Sequence, residues 1–260
     1  MKERDDSEAQ DLSAEKKWHE EKFYLDRDHW TTHPLLGSRE RHWLQNDVQK
    51  IRFYGNLCKY VQRKEYWGKA KILMAPVGNG LDIKYLQGIY SELHGIDISD
   101  DALSDCPGNI IKREGDILKS GYEDSSFDIV LCVLFLHPVH DIGFTQYIKE
   151  FHRLLIPGGT IAIMEPNNIY PFSWLTAMAT KILGNVTGKV KGERPIFVPD
   201  LTRILQQSGF KNLRIRGLTY NHVRFPCILQ SFFNSFDFVF RGIWPFYLLA
   251  SHVGWFCEKK

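Results

Sequence analysis

No sign of charge is in excess: 33 lysines and arginines stand against 31 acids, a formal net charge of +2. The basic residues are scattered, so the positive stripe of a dedicated nucleic-acid binder is missing and no nucleic-acid partner is expected. Cysteine is scarce. Its five positions, Cys58, Cys106, Cys132, Cys227 and Cys257, are odd in number and lack metal-type spacing, so no metal site is expected. Long apolar runs are also missing. The nearest, Gly242 to Cys257, has no charge but contains Pro245, His252 and Gly254, and it falls short of the roughly 20 residues of a membrane-spanning helix. The opening MKERDDSEAQ has no apolar segment of the secretory kind, and a reducing, cytoplasmic setting is the expectation.

What is present is enough for one large core: 260 residues, 43% hydrophobic and 25% charged. Residues 1–16 read as a disordered polar tail and 17–69 as an N-terminal helical flank. In that flank Leu44, Val48, Ile51, Tyr54, Cys58 and Val61 follow the helical period. From residue 70 to 260 strand and helix patterns alternate. KILMA, ELHGID, NIIKREGD, FDIVLCVLFL, TIAIMEP, KNLRIRGLTY and YLLASHVGWFCEKK read as strands. LDIKYLQGIY, GFTQYIKEFHRLL and VPDLTRILQQSGF read as helices. Alternation of this kind predicts an α/β fold, a mostly parallel sheet with helices on both faces. Residues 169–198 and 218–247 read as cap insertions on that core.

The stretch APVGNG, between the first strand and the first helix, is the candidate binding turn. Gly78 and Gly80 lack Cβ, so a ligand can approach their backbone, and the following helix offers free N–H groups. Asp97 ends the second strand, where a carboxylate can accept hydrogen bonds from both hydroxyls of a ribose. Asp116 ends the third, where it can accept from an adenine amino group. Each also has a plainer reading, Asp97 as a helix cap and Asp116 as a turn residue. Their place at the ends of successive strands favours the joint reading.

In order along the chain, ILMAPVGNG, LHGIDIS, REGDILKSGYEDSSFDIVLCVLFLHPVHD and EFHRLLIPGGTIAIMEPN resemble the motifs of class I S-adenosylmethionine-dependent methyltransferases. The similarity covers residues 70–168 and, more loosely, 199–217. The chain is similar to the branch whose members methylate small molecules, lipids and sugars. The resemblance implies a Rossmann-like fold with a seven-stranded, mostly parallel sheet, and S-adenosylmethionine as cofactor. It further implies that Pro76, Val77, Gly78, Asn79 and Gly80 cradle the methionine and ribose part. Asp97 would hold the ribose hydroxyls with Ile98 against the adenine, Asp116 and Ile117 would flank the adenine amino edge, and Val133 and Leu134 would close the site beside the sulfonium. Two positions depart from the pattern. Met74 stands where an acid near the end of the first strand commonly helps hold the cofactor's ammonium group, and Pro76 replaces the turn's first glycine.

Methyl transfer from a sulfonium needs alignment and a dry pocket, and needs a base only where the acceptor must lose a proton. His137 and His140, after the fourth strand, are the candidate bases; a structural role for His137 is the alternative. Tyr220, His222, Asn167 and Asn168 also follow strand ends. The segment FPCILQSFFNSFDFVFRGIWPFY reads either as an apolar lid, which could touch a membrane surface, or as an extra helical layer or dimer interface. The expected partner is a small or lipid-linked acceptor, with O-methylation favoured. A non-catalytic relative with a weakened cofactor site is one alternative. An NAD-dependent dehydrogenase is another, though the turn lacks the third glycine of the dinucleotide fingerprint.

Overall fold

The structure is a computed structural model that describes residues 39–139, 143–173, 194–221 and, apart from 234, 236, 238 and 242, residues 232–260. The tail at 1–16, most of both expected insertions, His140 and His222 lie outside the described residues. Helix α1 (Arg39–Val61) precedes β1 (Ala70–Met74), β2 (Tyr90–Asp97), α2 (Asp100–Ser104), β3 (Ile111–Glu114) and β4 (Phe127–Val133). Then come α3 (Thr145–Leu154), β5 (Leu155–Pro166), α4 (Val198–Gln207), β6 (Phe210–Thr219) and β7 (His252–Lys259). The strands form one seven-stranded sheet in the order β3-β2-β1-β4-β5-β7-β6. Strands β1 to β5 pair in parallel, and β7 runs antiparallel between β5 and β6.

The strand side chains alternate between two buried layers, as the two-residue period requires. Leu73, Val130, Cys132, Ile161, Ile163, Trp255 and Cys257 face one core with Tyr147, Ile148 and Phe151 of α3 and Leu201 and Leu205 of α4. Ile72, Met74, Ile129, Leu131, Ala162, Met164 and Phe256 face the other, which α1 covers with Phe53, Tyr54, Leu57 and Val61. That explains why β4 is apolar without interruption from Ile129 to Val133: both its faces are covered. Each such side chain, fully buried, contributes about 1.5–3 kcal/mol.

Two expected elements differ. On α1 the buried face runs through Gln49, Phe53, Tyr54, Leu57, Tyr60 and Val61, while Ile51 is 57% exposed. The helix is rotated so that its aromatics meet Phe256 and Tyr85. In place of a helix over 81–90 there is a 3₁₀ turn, Leu81–Tyr85. Its amides bond three residues back, Gly80 to Val77, Ile83 to Gly80, Leu86 to Ile83 and Ile89 to Leu86. The buried residues Ile83, Leu86 and Ile89 recur every third position, which is the 3₁₀ period and not the α period.

One buried ion pair links distant parts of the chain. Arg52 of α1 pairs with Asp237, which also accepts from Thr219 Oγ1 at 2.9 Å and the Tyr220 amide at 2.6 Å. Among the described residues, no helix is long and apolar enough to cross a membrane.

Candidate functional site

The sheet order reverses between β1 and β4, and the loops leaving such a point splay apart to open a crevice. A cavity of about 220 Å³ lies there. Its wall includes Met74, Ala75, Pro76, Val77, Gly78 and Asn79 at and beyond the end of β1, Ile96, Asp97 and Ile98 at the end of β2, Asp116 and Ile117 after β3, and Val133, Leu134 and Phe135 at the end of β4. Asp97 and Asp116 thus border one space, as the sequence pattern requires.

Pro76 does not disturb the turn. The amide before it, Ala75, bonds to Leu131 O of β4 at 2.9 Å, and the amide after it, Val77, bonds to Ile96 O of β2 at 3.0 Å. The missing proline N–H falls between these two anchors, where no donor is needed. Gly78 has φ +55°, and a Cβ built on it would meet nothing within 4 Å, so the left-handed conformation alone demands glycine there. Gly80 differs from expectation: it is not on the cavity wall. At φ +73° its Cβ would meet Cys106 Sγ at 2.5 Å and Pro107 Cδ at 2.7 Å, so packing against the loop after α2 fixes its identity.

Asp97 is buried and joins turn to strand. Its Oδ2 accepts from the Gly78 amide at 2.8 Å and its Oδ1 from the Ser99 amide at 3.0 Å. A carboxylate has about four acceptor positions, so these two amides orient it without exhausting it. Asp116 fills the turn role: its Oδ1 caps the short 3₁₀ turn Ile117–Lys119 through the Leu118 amide at 2.9 Å, and the residue also lines the cavity.

Sequence reasoning missed Glu165 at the end of β5. Its carboxylate is fully buried. Oε1 accepts from the Phe135 and Leu136 amides at 2.8 and 2.7 Å, and Oε2 is 2.8 Å from His137 Nδ1. These bonds and the Leu134 amide on Met164 O, at 2.8 Å, hold Leu134 at φ +57°, a conformation that costs a non-glycine residue about 1–3 kcal/mol. The signal was the single acid in TIAIMEPN, whose meaning depends on β4 and β5 being neighbours. His137 itself is not on the cavity wall, though Phe135, Pro138 and Val139 around it are.

Three other expectations change. Asn167 is buried, donates to Leu248 O and Ala250 O at 2.6 and 2.8 Å, and holds the loop before β7 instead of facing the cavity. Tyr220 donates its phenol to Phe246 O at 2.7 Å. Burial, helped by the Asp237 charge, raises its pKa, which disqualifies it as a base near neutrality. A second acid, Asp82, lies on the cavity wall with Lys50 of α1, at the position where sequence reasoning looked only for a missing glycine.

Residues 73–163 match a family model described as a methyltransferase domain. Over 210 residues the chain is 28% identical to demethylmenaquinone methyltransferases from Staphylococcus aureus, covering 67% of this chain and 86% of theirs. A 100-residue stretch is 30% identical to a hybrid PKS-NRPS synthetase from Acremonium, but this chain spans only 2% of that protein's length. A solved SAM-dependent methyltransferase from Thermotoga maritima superposes with a TM-score of 0.58 at 16% identity, over 84% of this chain and 95% of that one. The sheet is therefore the Rossmann-like one found in methyltransferases.

The two glycines of the turn separate in a stability experiment. Gly78→Ala should cost about 1–2 kcal/mol from its backbone angle alone. Gly80→Ala adds overpacking against Cys106 and Pro107 and should cost about 2–4 kcal/mol. Urea denaturation of the two variants checks the order; equal losses would contradict the packing role of Gly80.

Proposed function

We propose that this class I S-adenosylmethionine-dependent methyltransferase transfers its methyl group to an oxygen of a small or lipid-linked acceptor with apolar parts. The single observation that carries the reading is the convergence of Asp97 and Asp116 on one cavity at the sheet's switch point. S-adenosylmethionine supplies a methyl group already activated on a sulfonium. Asp97 takes the ribose hydroxyls, and its two backbone donors fix its direction beforehand. Asp116 accepts from the adenine amino group, and Ile98 and Ile117 pack on the base. Gly78 leaves the floor open. Val133 and Leu134 keep water from the reacting centre.

His137 is the base candidate of this reading: its neighbours Phe135, Pro138 and Val139 line the cavity, and its ring, set behind them, can take the acceptor's proton only once the bound acceptor reaches past that wall. Glu165 Oε2 lies 2.8 Å from His137 Nδ1, and with Glu165 ionised Nδ1 is the donor of that bond. That tautomer makes Nε2 the basic nitrogen. On the acceptor side, Leu134, Phe135, Pro138 and Val139 give the cavity an apolar wall. In the Phe-rich segment, Phe232, Ile243, Trp244 and Phe246 are exposed, Trp244 by 73%. These surfaces suit an apolar acceptor or a lipid surface. The likeness to demethylmenaquinone methyltransferases is in keeping with a small-molecule acceptor.

Isothermal titration calorimetry tests the cofactor site. The wild type should bind S-adenosylmethionine and S-adenosylhomocysteine, and Asp97→Ala should lose about a hundredfold or more in affinity, because two charge-assisted hydrogen bonds go. A wild type that binds neither would leave the non-catalytic reading standing. For the base, His137→Gln should lower methyl transfer to a lipid-soluble acceptor by about a hundredfold with cofactor affinity unchanged; equal turnover would remove His137 from the chemistry. For the lipid surface, flotation with phosphatidylglycerol vesicles should carry the wild type upward, and Trp244→Ser should weaken this. A wild type that stays at the bottom of the gradient counts against membrane contact.

A further inference from the structure

Met74 leaves the cavity without the acid expected near the end of β1, yet the wall is not short of charge. Its charged side chains are Lys50, Asp82, Asp97 and Asp116. Asp97 and Asp116 follow β2 and β3, on one side of β1 in the sheet order. Lys50 and Asp82 come from elsewhere, from α1 and from the 3₁₀ turn behind Gly80. They are of opposite sign, and they touch: Lys50 Nζ donates to Asp82 Oδ1 at 2.5 Å.

This pair is built and not incidental. Asp82 is only 7% exposed. Its second oxygen accepts from the Tyr54 phenol at 3.0 Å, and Tyr54 is stacked on Tyr85 with ring centroids 5.2 Å apart. Burial first, and the Asp82 charge second, hold the Tyr54 phenol well above its ordinary range, so it stays a donor. The Asp82 carboxylate is therefore fixed in direction, with a cation beside it, on the wall of a cavity. A buried ion pair needs further hydrogen-bonding partners to offset its desolvation, and a ligand carrying one charge of each sign supplies them.

We propose that Lys50 and Asp82 form the receptor for the zwitterionic amino-acid end of the cofactor, Asp82 meeting its ammonium and Lys50 its carboxylate. This rests on the reading of the cavity as the S-adenosylmethionine site. It assigns to helix α1 and the 3₁₀ turn the function that Met74 cannot perform. It also makes α1 part of the binding site: the helix that covers one core face delivers a cation to the cavity and, through Tyr54, orients the anion.

Two nucleosides separate this role from a structural one. S-adenosylhomocysteine carries both amino-acid charges; 5′-methylthioadenosine keeps the adenosine and sulfur but has neither. By calorimetry, Lys50→Met and Asp82→Asn should each weaken S-adenosylhomocysteine binding about tenfold or more and leave 5′-methylthioadenosine binding unchanged. In the double variant the preference of the wild type for S-adenosylhomocysteine should disappear. Melting temperature and 5′-methylthioadenosine affinity report whether each variant is folded. Parallel loss of both ligands would mean that the pair only fastens α1 to the turn, and unchanged S-adenosylhomocysteine affinity would mean it is not in contact with the ligand; either overturns the proposal. If the wild type binds neither nucleoside, the cofactor reading itself fails, and that outcome is distinct from the other two.

Discussion

The Asp97 carboxylate fixes the geometry of the crevice. It accepts the Gly78 amide from the β1 turn and the Ser99 amide from its own strand end, so one side chain ties two neighbouring loops together. Without that tie, the left-handed Gly78 turn would have no partner for its exposed donor, and the mouth of the sheet would not keep one shape. The residue that organises the turn also lines the cavity. In the proposed reading structure and recognition then meet at this residue: a carboxylate already held by two donors is pre-oriented for others, and it loses little freedom when they arrive.

Much of this was legible in the sequence because it depends on short-range patterns. The short apolar runs in KILMA and FDIVLCV mark strands covered on both faces, and the glycine turn and the acids at successive strand ends mark the crevice. Features that depend on strands or helices meeting across long sequence distances were not legible. Asp82 drew no reading of its own, because nothing local says that Lys50 and Tyr54 of α1 bond to it. Glu165 matters only because β5 lies beside β4, which brings its carboxylate to the Phe135, Leu136 and His137 donors. The mistaken helix over 81–90 was a matter of period: a spacing of three is close enough to 3.6 to mislead until the hydrogen bonds are known. On α1, Ile51 fits a helical stripe by type, but the larger aromatics Phe53, Tyr54 and Tyr60 decide which face is buried.

Two buried acids divide the labour around the cavity. Asp97 shapes the β1 side, and Glu165 shapes the β4 side by holding Leu134 in a backbone conformation that a bulky residue seldom adopts. Strain of this kind persists only where neighbours over-determine it. Here the neighbours are one carbonyl and one carboxylate. The fold alone does not dictate chemistry, since one scaffold supports many activities. What is particular to this chain is the set of side chains these two acids position.

The antiparallel strand β7 bears on how the molecule is made. It sits between β5 and β6 although it is the strand furthest along the chain. During synthesis, β6 leaves the ribosome with no neighbour to join, and the edge of β5 stays open until β7 arrives. The half of the sheet that carries the crevice can assemble early, since β1 to β5 pair among themselves. The other half cannot pair before β7 is present, since β6 joins the sheet through it and Trp255 and Phe256 belong to the two cores. A nascent chain halted before that point would present a long apolar edge to its surroundings, and it would depend on chaperones in a way the finished protein does not.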